Sequence, residues 1–305
     1  MDKKLDITDI QPFITTILGF ESCIVCEVGD HVSTEVYKLL QDNKVYYLRI
    51  AGEGEDIASE ALAHRLLLEK GVKVPRIVAY GDNNNAIKRS YLVTSEIAGL
   101  PYQKDPAANS KVVFDAGKQL ALINTIPTTN FGWIDRTVTN PKEFVGCYHT
   151  YTEFALNPRR IKSMVDDLLN LEIISKSLAT KYLKYIENRK DSFDPGEPCL
   201  AHGDFDSSHI FSKDSKYQGI IDFGDIRCTS IYHDLAHFYV YEKDDFQTLF
   251  EGYLTVTDIG LNCIDKIRFE AMLFEFGRLW WMVKNIPDHV GNNHPILNFL
   301  KSVLS

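Results

Sequence analysis

The chain has 305 residues, 45% of them hydrophobic, enough for one large core or two smaller ones. It carries 33 Lys and Arg against 42 Asp and Glu, a formal net charge of −9, which argues against nucleic acid as a partner. Six scattered cysteines, no run approaching a membrane span and no signal-peptide pattern point to a reduced, soluble, cytoplasmic protein with no membrane contact.

In chain order, Leu5, Ile10, Phe13, Ile14 and Ile17 recur at helical spacing, and Gly19 ends that segment. Apolar runs at 22–28, 35–40 and 45–50 follow, separated by turns, and predict three strands. Cys23 and Cys26 have CxxC spacing, but residues three apart on a strand point to opposite faces, so structural thiols are expected. The loop 29–33 has one Gly; its backbone amides and the Ser33 hydroxyl are suited to covering a phosphate. A helix is predicted over 56–70, stopped by Gly71, with Ile57, Glu60, Ala61, His64 and Leu68 on one face. A carboxylate inside an apolar stripe needs a cation, and Arg49 on the preceding strand is the natural one. Runs at 74–80 and 90–96, around a turn at Asn83, Asn84 and Asn85, add two strands.

From Ser110 the pattern turns helical. Val112, Val113, Ala116, Leu120 and Ile123 mark one helix, and 153–156, 164–171 and 173–185 mark others, while Phe131-Gly-Trp133 begins a loop. Residues 266–285 are apolar nearly all round and should be buried.

Between these helical regions lies Cys199 to Asp225. Two apolar runs there end in His202-Gly-Asp204 and Asp222-Phe-Gly224, joined by a hairpin-like segment turning at Asp214 to Lys216. A strand that ends in Asp delivers its carboxylate to a sheet rim. Two such carboxylates eighteen positions apart can converge on one point. Phosphoryl transfer needs this pair, one to orient the attacking hydroxyl and accept its proton, the other to hold Mg²⁺ on nucleotide phosphates. His209 stands five residues after Asp204, where kinases place a metal-binding Asn.

These motifs resemble those of the aminoglycoside phosphotransferase family, small-molecule kinases that include hygromycin B phosphotransferase-like enzymes. Its H-G-D loop and I-D-F/W-G/x-D/E metal motif match His202-Gly-Asp204 and Ile221-Asp-Phe-Gly-Asp225, and its later D-L-A matches Asp234-Leu-Ala236. The resemblance implies an α+β, protein-kinase-like two-lobed fold, with a small β-rich lobe over 1–97 and a larger helical lobe over 98–305. It further implies Asp204 as catalytic base, Asp222 with His209 on Mg²⁺, and Arg49, oriented by Glu60, on the phosphates of ATP or GTP. The Ser33 loop would cover those phosphates, the backbone of Glu96 and Ile97 would meet the base, and Asp234 would buttress the catalytic loop.

His233 and His237 have the i, i+4 spacing of zinc proteases, but Asp follows the first His where such enzymes need Glu, and no third ligand is evident. No G-x-x-x-x-G-K-[ST], H-R-D or A-P-E occurs, which favours a small acceptor over a protein substrate and implies no protein partner. Residues 199–305 hold fifteen acidic and nine basic side chains, and Asp206, Glu242, Asp244 and Asp245 follow the catalytic Asp. The leading expectation is O-phosphorylation of a cationic, aminoglycoside-like antibiotic. A metabolite kinase acting on choline, homoserine or a sugar-like substrate is the second reading. A nucleotide-binding pseudokinase is the third, because His209 offers nitrogen to a hard ion that prefers oxygen.

Overall fold

The computed structural model describes residues 5, 7–29, 34–81, 87–291 and 294–305; Ser33 and the turn at Asn83 to Asn85 lie outside them. Helix α1 (Ile7–Phe13) carries Pro12 and passes into a π-helical turn over Ile14–Leu18. The strands β1 (Ile24–Glu27), β2 (Glu35–Gln41) and β3 (Lys44–Ile50) form an antiparallel meander. Asp42 and Asn43, both at positive φ, make the two-residue turn between β2 and β3, the backbone that matches strand twist. Helix α2 (Ala58–Glu69) starts two residues later than predicted, because the Asp56 carboxylate accepts the Ala58 amide at 2.6 Å and caps it. Leu68 is exposed, whereas Glu60, Ala61 and His64 of the predicted face are buried together with Leu62, Ala63 and Leu67, which join the large core. Strands β4 (Ile77–Gly81) and β5 (Tyr91–Ser95) complete a five-stranded sheet of order β1-β2-β3-β5-β4.

On β3, Leu48 and Ile50 are fully buried against α1, and Arg49 between them points to the opposite face, toward α2. Cys23 is buried and Cys26 exposed, as alternation along β1 requires.

Beyond the sheet, β6 (Leu100–Pro101) leads to α3 (Ser110–Asn124). The segment Phe131-Gly-Trp133, read as a loop, is instead strand β7 (Phe131–Ile134), which pairs with β8 (Gly146–Tyr148). Helices α4 (Tyr151–Ala155), α5 (Pro158–Asn170) and α6 (Lys176–Glu187) follow. Next come β9 (Cys199–Ala201), β10 (Ile210–Lys213), β11 (Lys216–Ile220) and β12 (Arg227–Thr229). Asp214 and Ser215 turn β10 into β11 at positive φ. Helices α7 (His233–Tyr241), α8 (Phe246–Leu254), α9 (Cys263–Asn285) and α10 (Pro295–Val303) end the chain.

Two small sheets hold the motif loops, β11-β10-β6 and β8-β7-β12-β9. One continuous core binds α3 and α5 to α10 around them. Helix α9 runs through it, with Ile267, Phe269, Met272 and Phe276 buried and Phe276 stacked on Tyr182 at 3.8 Å. Helices α3 and α8 approach so closely that a Cβ on Gly252 would lie 1.9 Å from Phe114 O. Among the described residues, no helix is long and apolar enough to cross a membrane.

The segment after β7 reaches back to the amino-terminal sheet. Arg136 O accepts the Asp56 amide at 2.6 Å, and Thr139 O accepts the Tyr80 hydroxyl at 3.2 Å. On the other side, Lys73 O accepts the Ile220 amide at 2.9 Å.

Candidate active site

His202, Gly203 and Asp204 leave the end of β9. The Asp234 carboxylate, 1% exposed in the first turn of α7, takes the His202 amide on Oδ2 and the Gly203 amide on Oδ1, both at 2.8 Å. Both oxygens of a buried charge are thus used to fix two consecutive peptide units. Gly203 has φ of 89°, and a Cβ there would lie 1.9 Å from Asp225 O, so this loop requires glycine. His202 is buried; its Nε2 donates to Ile221 O at 2.9 Å, which ties the His202–Asp204 loop to the strand leading to Asp222. Burial, then the neighbouring His209, lower the His202 pKa and favour its neutral form.

Asp222 stands at φ of 66° and ψ of 71°, a strained conformation for a residue with a side chain. Its Oδ1 accepts Arg49 Nη1 at 2.7 Å, and Arg49 Nε lies 3.2 Å from Glu60 Oε1. Burial alone would raise the Asp222 carboxyl, but Arg49 and then His209 outweigh it and hold the group far below the ordinary carboxylate range. Glu60 moves the other way, because burial exceeds the pull of Arg49. Arg49 also approaches Thr34 Oγ1 at 3.4 Å.

His209 Nδ1 lies 2.7 Å from the backbone oxygen of Asp204 and donates to it. That bond leaves the Nε2 lone pair free, and Nε2 sits 3.9 Å from Asp222 Oδ2. An imidazole oriented by a carbonyl on one nitrogen and facing a carboxylate with the other has the form of a metal ligand. His209 and Asp222 therefore fit a divalent cation held between them. Because a carbonyl oxygen suits Mg²⁺ whereas imidazole suits Ni²⁺, we expect His209→Asn to lower the Mg²⁺ requirement and raise that for Ni²⁺. The ratio of the two half-saturating concentrations, measured by metal titration of the rate, should change roughly tenfold; an unchanged ratio would remove His209 from the ligand set.

Asp204 Oδ1 receives Arg278 Nη1 at 2.7 Å and lies 3.4 Å from His237 Nε2. Burial pushes its carboxyl up, but Arg278, His237 and His209 together bring it down to about 2. Arg278 and His237 were not legible as site residues. Arg278 lies seventy-four positions beyond Asp204. The available signal was Glu270 and Glu275 among the apolar residues that bury α9, since buried carboxylates require partners. Glu270 finds Tyr151 and Ser230, and His233 lies beside it at 3.7 Å. His233 and His237 thus face different carboxylates, and their spacing does not form a shared zinc site. Arg136, also unanticipated, donates to Gly224 O in the Asp222–Asp225 turn.

The remaining expected residues lie around this centre. Asp206 sits near Asp204 and caps its own loop, accepting the Ser208 amide at 2.7 Å. Glu242 accepts the Ser207 amide at 3.2 Å, and Asp245 accepts the Tyr102 hydroxyl at 3.3 Å. Asp244 is exposed. Glu96 is exposed with its amide on Val45 O at 3.2 Å, and Ile97 lies over Gly219, where a Cβ would come 3.0 Å from its Cδ1.

No curated protein matches the chain in sequence. Solved structures match its fold over nearly the full length. A thermostable mutant of aminoglycoside phosphotransferase APH(4)-Ia, in ternary complex with AMP-PNP and hygromycin B, is similar at 14% identity and a TM-score of 0.70. That match covers 97% of this chain and 98% of the other. Wild-type aminoglycoside 2'-phosphotransferase-IIIa, in complex with GDP, is similar at 16% identity and a TM-score of 0.62, over 98% and 97% of the two chains. A proposed fructosamine-3-kinase from Thermobifida fusca YX-ER1 is similar at 15% identity and a TM-score of 0.64, over 97% and 98%. The chain thus has the kinase-like fold that its motifs predict. The sequence model of the phosphotransferase enzyme family matches residues 24–265, most of the chain. The chain therefore belongs to the phosphotransferase enzyme family and is a small-molecule kinase.

Proposed function

We propose that the chain transfers the terminal phosphoryl group of ATP or GTP to a hydroxyl of an aminoglycoside-like antibiotic in the cytoplasm. The observation that carries the chemistry is one chain of contacts, each link under 4 Å, from the Asp204 backbone oxygen through His209 and Asp222 to Arg49. Asp204 orients the acceptor hydroxyl. As the acceptor oxygen bonds the γ-phosphorus and the bond to the nucleoside diphosphate breaks, the hydroxyl proton passes to Asp204. Asp222 and His209 are the residues to hold Mg²⁺, which when bound offsets charge on the phosphates. Arg49, kept rigid by Glu60, exchanges part of its contact with Asp222 for phosphate oxygen, which its planar fork suits. The backbone of Glu96 and Ile97 meets the base, and Asp206, Glu242, Asp244 and Asp245 supply negative charge on the acceptor side.

The nucleotide reading is supported by neighbours bound to AMP-PNP and to GDP, and the acceptor reading by a neighbour bound to hygromycin B. One observation favours a second reading, a small metabolite carrying little positive charge. Asp206, Glu242 and Asp245 each already accept a hydrogen bond, and Arg278 sits at Asp204. The two readings separate in an assay of ADP or GDP release across aminoglycosides, hygromycin B, choline, homoserine and simple sugars. Stimulation by a polycationic antibiotic, weakening with salt, is the expected result. Stimulation only by a neutral or singly charged metabolite would replace the antibiotic reading.

A further inference from the structure

His237 lies in α7 one turn beyond the buttress Asp234, is 2% exposed, and has a carboxylate facing each ring nitrogen. Nδ1 is 2.8 Å from Glu275 Oε1, and Nε2 is 3.4 Å from Asp204 Oδ1. Nε2 is fully buried and makes no hydrogen bond at that separation. A buried polar atom without a partner is costly. A neutral imidazole has only one N–H, so with Nδ1–H on Glu275 it would aim a lone pair at the Asp204 carboxylate. Protonation of both nitrogens turns that repulsion into a second charge-assisted contact.

Glu275 is 3% exposed and also lies 3.7 Å from Arg278 Nε, one turn further along α9. Arg278 in turn spans Asp204 Oδ1 at 2.7 Å and Gly203 O at 3.1 Å. One buried carboxylate thus anchors two cations, and both converge on the same oxygen of Asp204. Tyr241, whose ring centre is 4.5 Å from that of His237, closes the remaining side. A divalent ion among Asp204, Asp206 and His237 would meet similar distances, but Arg278 already supplies positive charge at that oxygen.

We propose that Glu275, doubly protonated His237 and Arg278 form a clamp that fixes the catalytic carboxylate through Oδ1 and leaves Oδ2 to the acceptor hydroxyl. His237 and Glu275 are positioning residues, and the proposal rests on Asp204 being the base. The fixed rotamer matters because a misplacement of about 1 Å in a reacting group costs on the order of 10²-fold in rate.

The test combines kinetics with nitrogen-resolved NMR of the histidine rings, using the acceptor that stimulates turnover. His237→Phe keeps the ring and removes both donors. Its kcat should fall roughly 10–100-fold, with KM for nucleotide and acceptor within about twofold. Adding Glu275→Gln to it should cost less than the product of the two single losses, because the His237 part of the Glu275 effect is already gone and only its hold on Arg278 remains. In the parent protein, both His237 nitrogens should carry protons at neutral pH, and Glu275→Gln alone should remove one of them. A singly protonated His237 in the parent overturns the clamp, even if His237→Phe fails to fold. So does a His237→Phe loss that only tracks the folded fraction. If Asp204→Asn keeps full transfer, it is the base assignment that fails instead.

Discussion

Asp204→Asn is expected to slow single-turnover phosphoryl transfer by about 10²–10⁴-fold, the usual contribution of a positioned general base. Mg-nucleotide affinity should stay within a few-fold, because the residues proposed for it, Arg49, Asp222 and His209, keep their mutual contacts. Rapid-quench transfer with enzyme in excess measures the first quantity and equilibrium titration the second. Transfer within a factor of a few of the parent would remove Asp204 from the chemistry. The same carboxylate carries a pH signature. Its pKa is lowered to about 2, with burial opposing and Arg278, His237 and His209 prevailing. A depressed carboxyl stabilises the fold above its unfolded pKa of about 3.9, and that contribution fades as pH falls toward 2. Any acidic limb of the rate above about pH 4 should therefore persist in shape when Arg278 is intact, and belong to a group other than Asp204.

The second large effect is expected at Asp234. Replacement by Asn keeps the shape but offers one acceptor oxygen where the His202 and Gly203 amides each use one. One buried amide then faces an NH₂ group, at about 1–3 kcal/mol. The urea midpoint should fall with the slope unchanged, the sign of lost stability without a changed unfolded state. Because the freed amides set the backbone on which Asp204 stands, kcat should drop on the order of 10²-fold as well. A midpoint equal to the parent's would mean that these two bonds do not hold the loop.

The sequence made the fold legible wherever a few adjacent residues decide the outcome. The alternation of Leu48, Arg49 and Ile50 puts one side chain across the sheet from two core residues, and it names both strand and partner helix. Asp204 and Asp222 are legible for the same reason, as each ends a short apolar run. Strand β7 was not, because Phe131-Gly-Trp133 is too short to show a period and becomes a strand only by pairing with β8 and β12. The Glu275–His237–Arg278 cluster was hidden for a related reason. Its members lie on two helices far apart in sequence, His237 on α7 and Glu275 with Arg278 on α9, and each has an ordinary explanation within its own helix. The start of α2 shows the smaller error, since a cap at Asp56 shifts the first helical residue without altering the buried stripe.

The bonds from Arg136 and Thr139 to the amino-terminal sheet have a mechanical meaning. The Lys73–Ile220 bond ties the segment after α2 to the end of β11. The attachment through Asp56 and Tyr80 is made instead to the segment after β7. Both attachments add to the packing of Leu62, Ala63 and Leu67 of α2 on the larger core. Arg136 is engaged twice: its backbone oxygen takes the Asp56 amide, and its side chain donates to Gly224 O in the turn beside Asp222. Shifting the segment after β7 away from Asp56 therefore also moves the anchor of that turn.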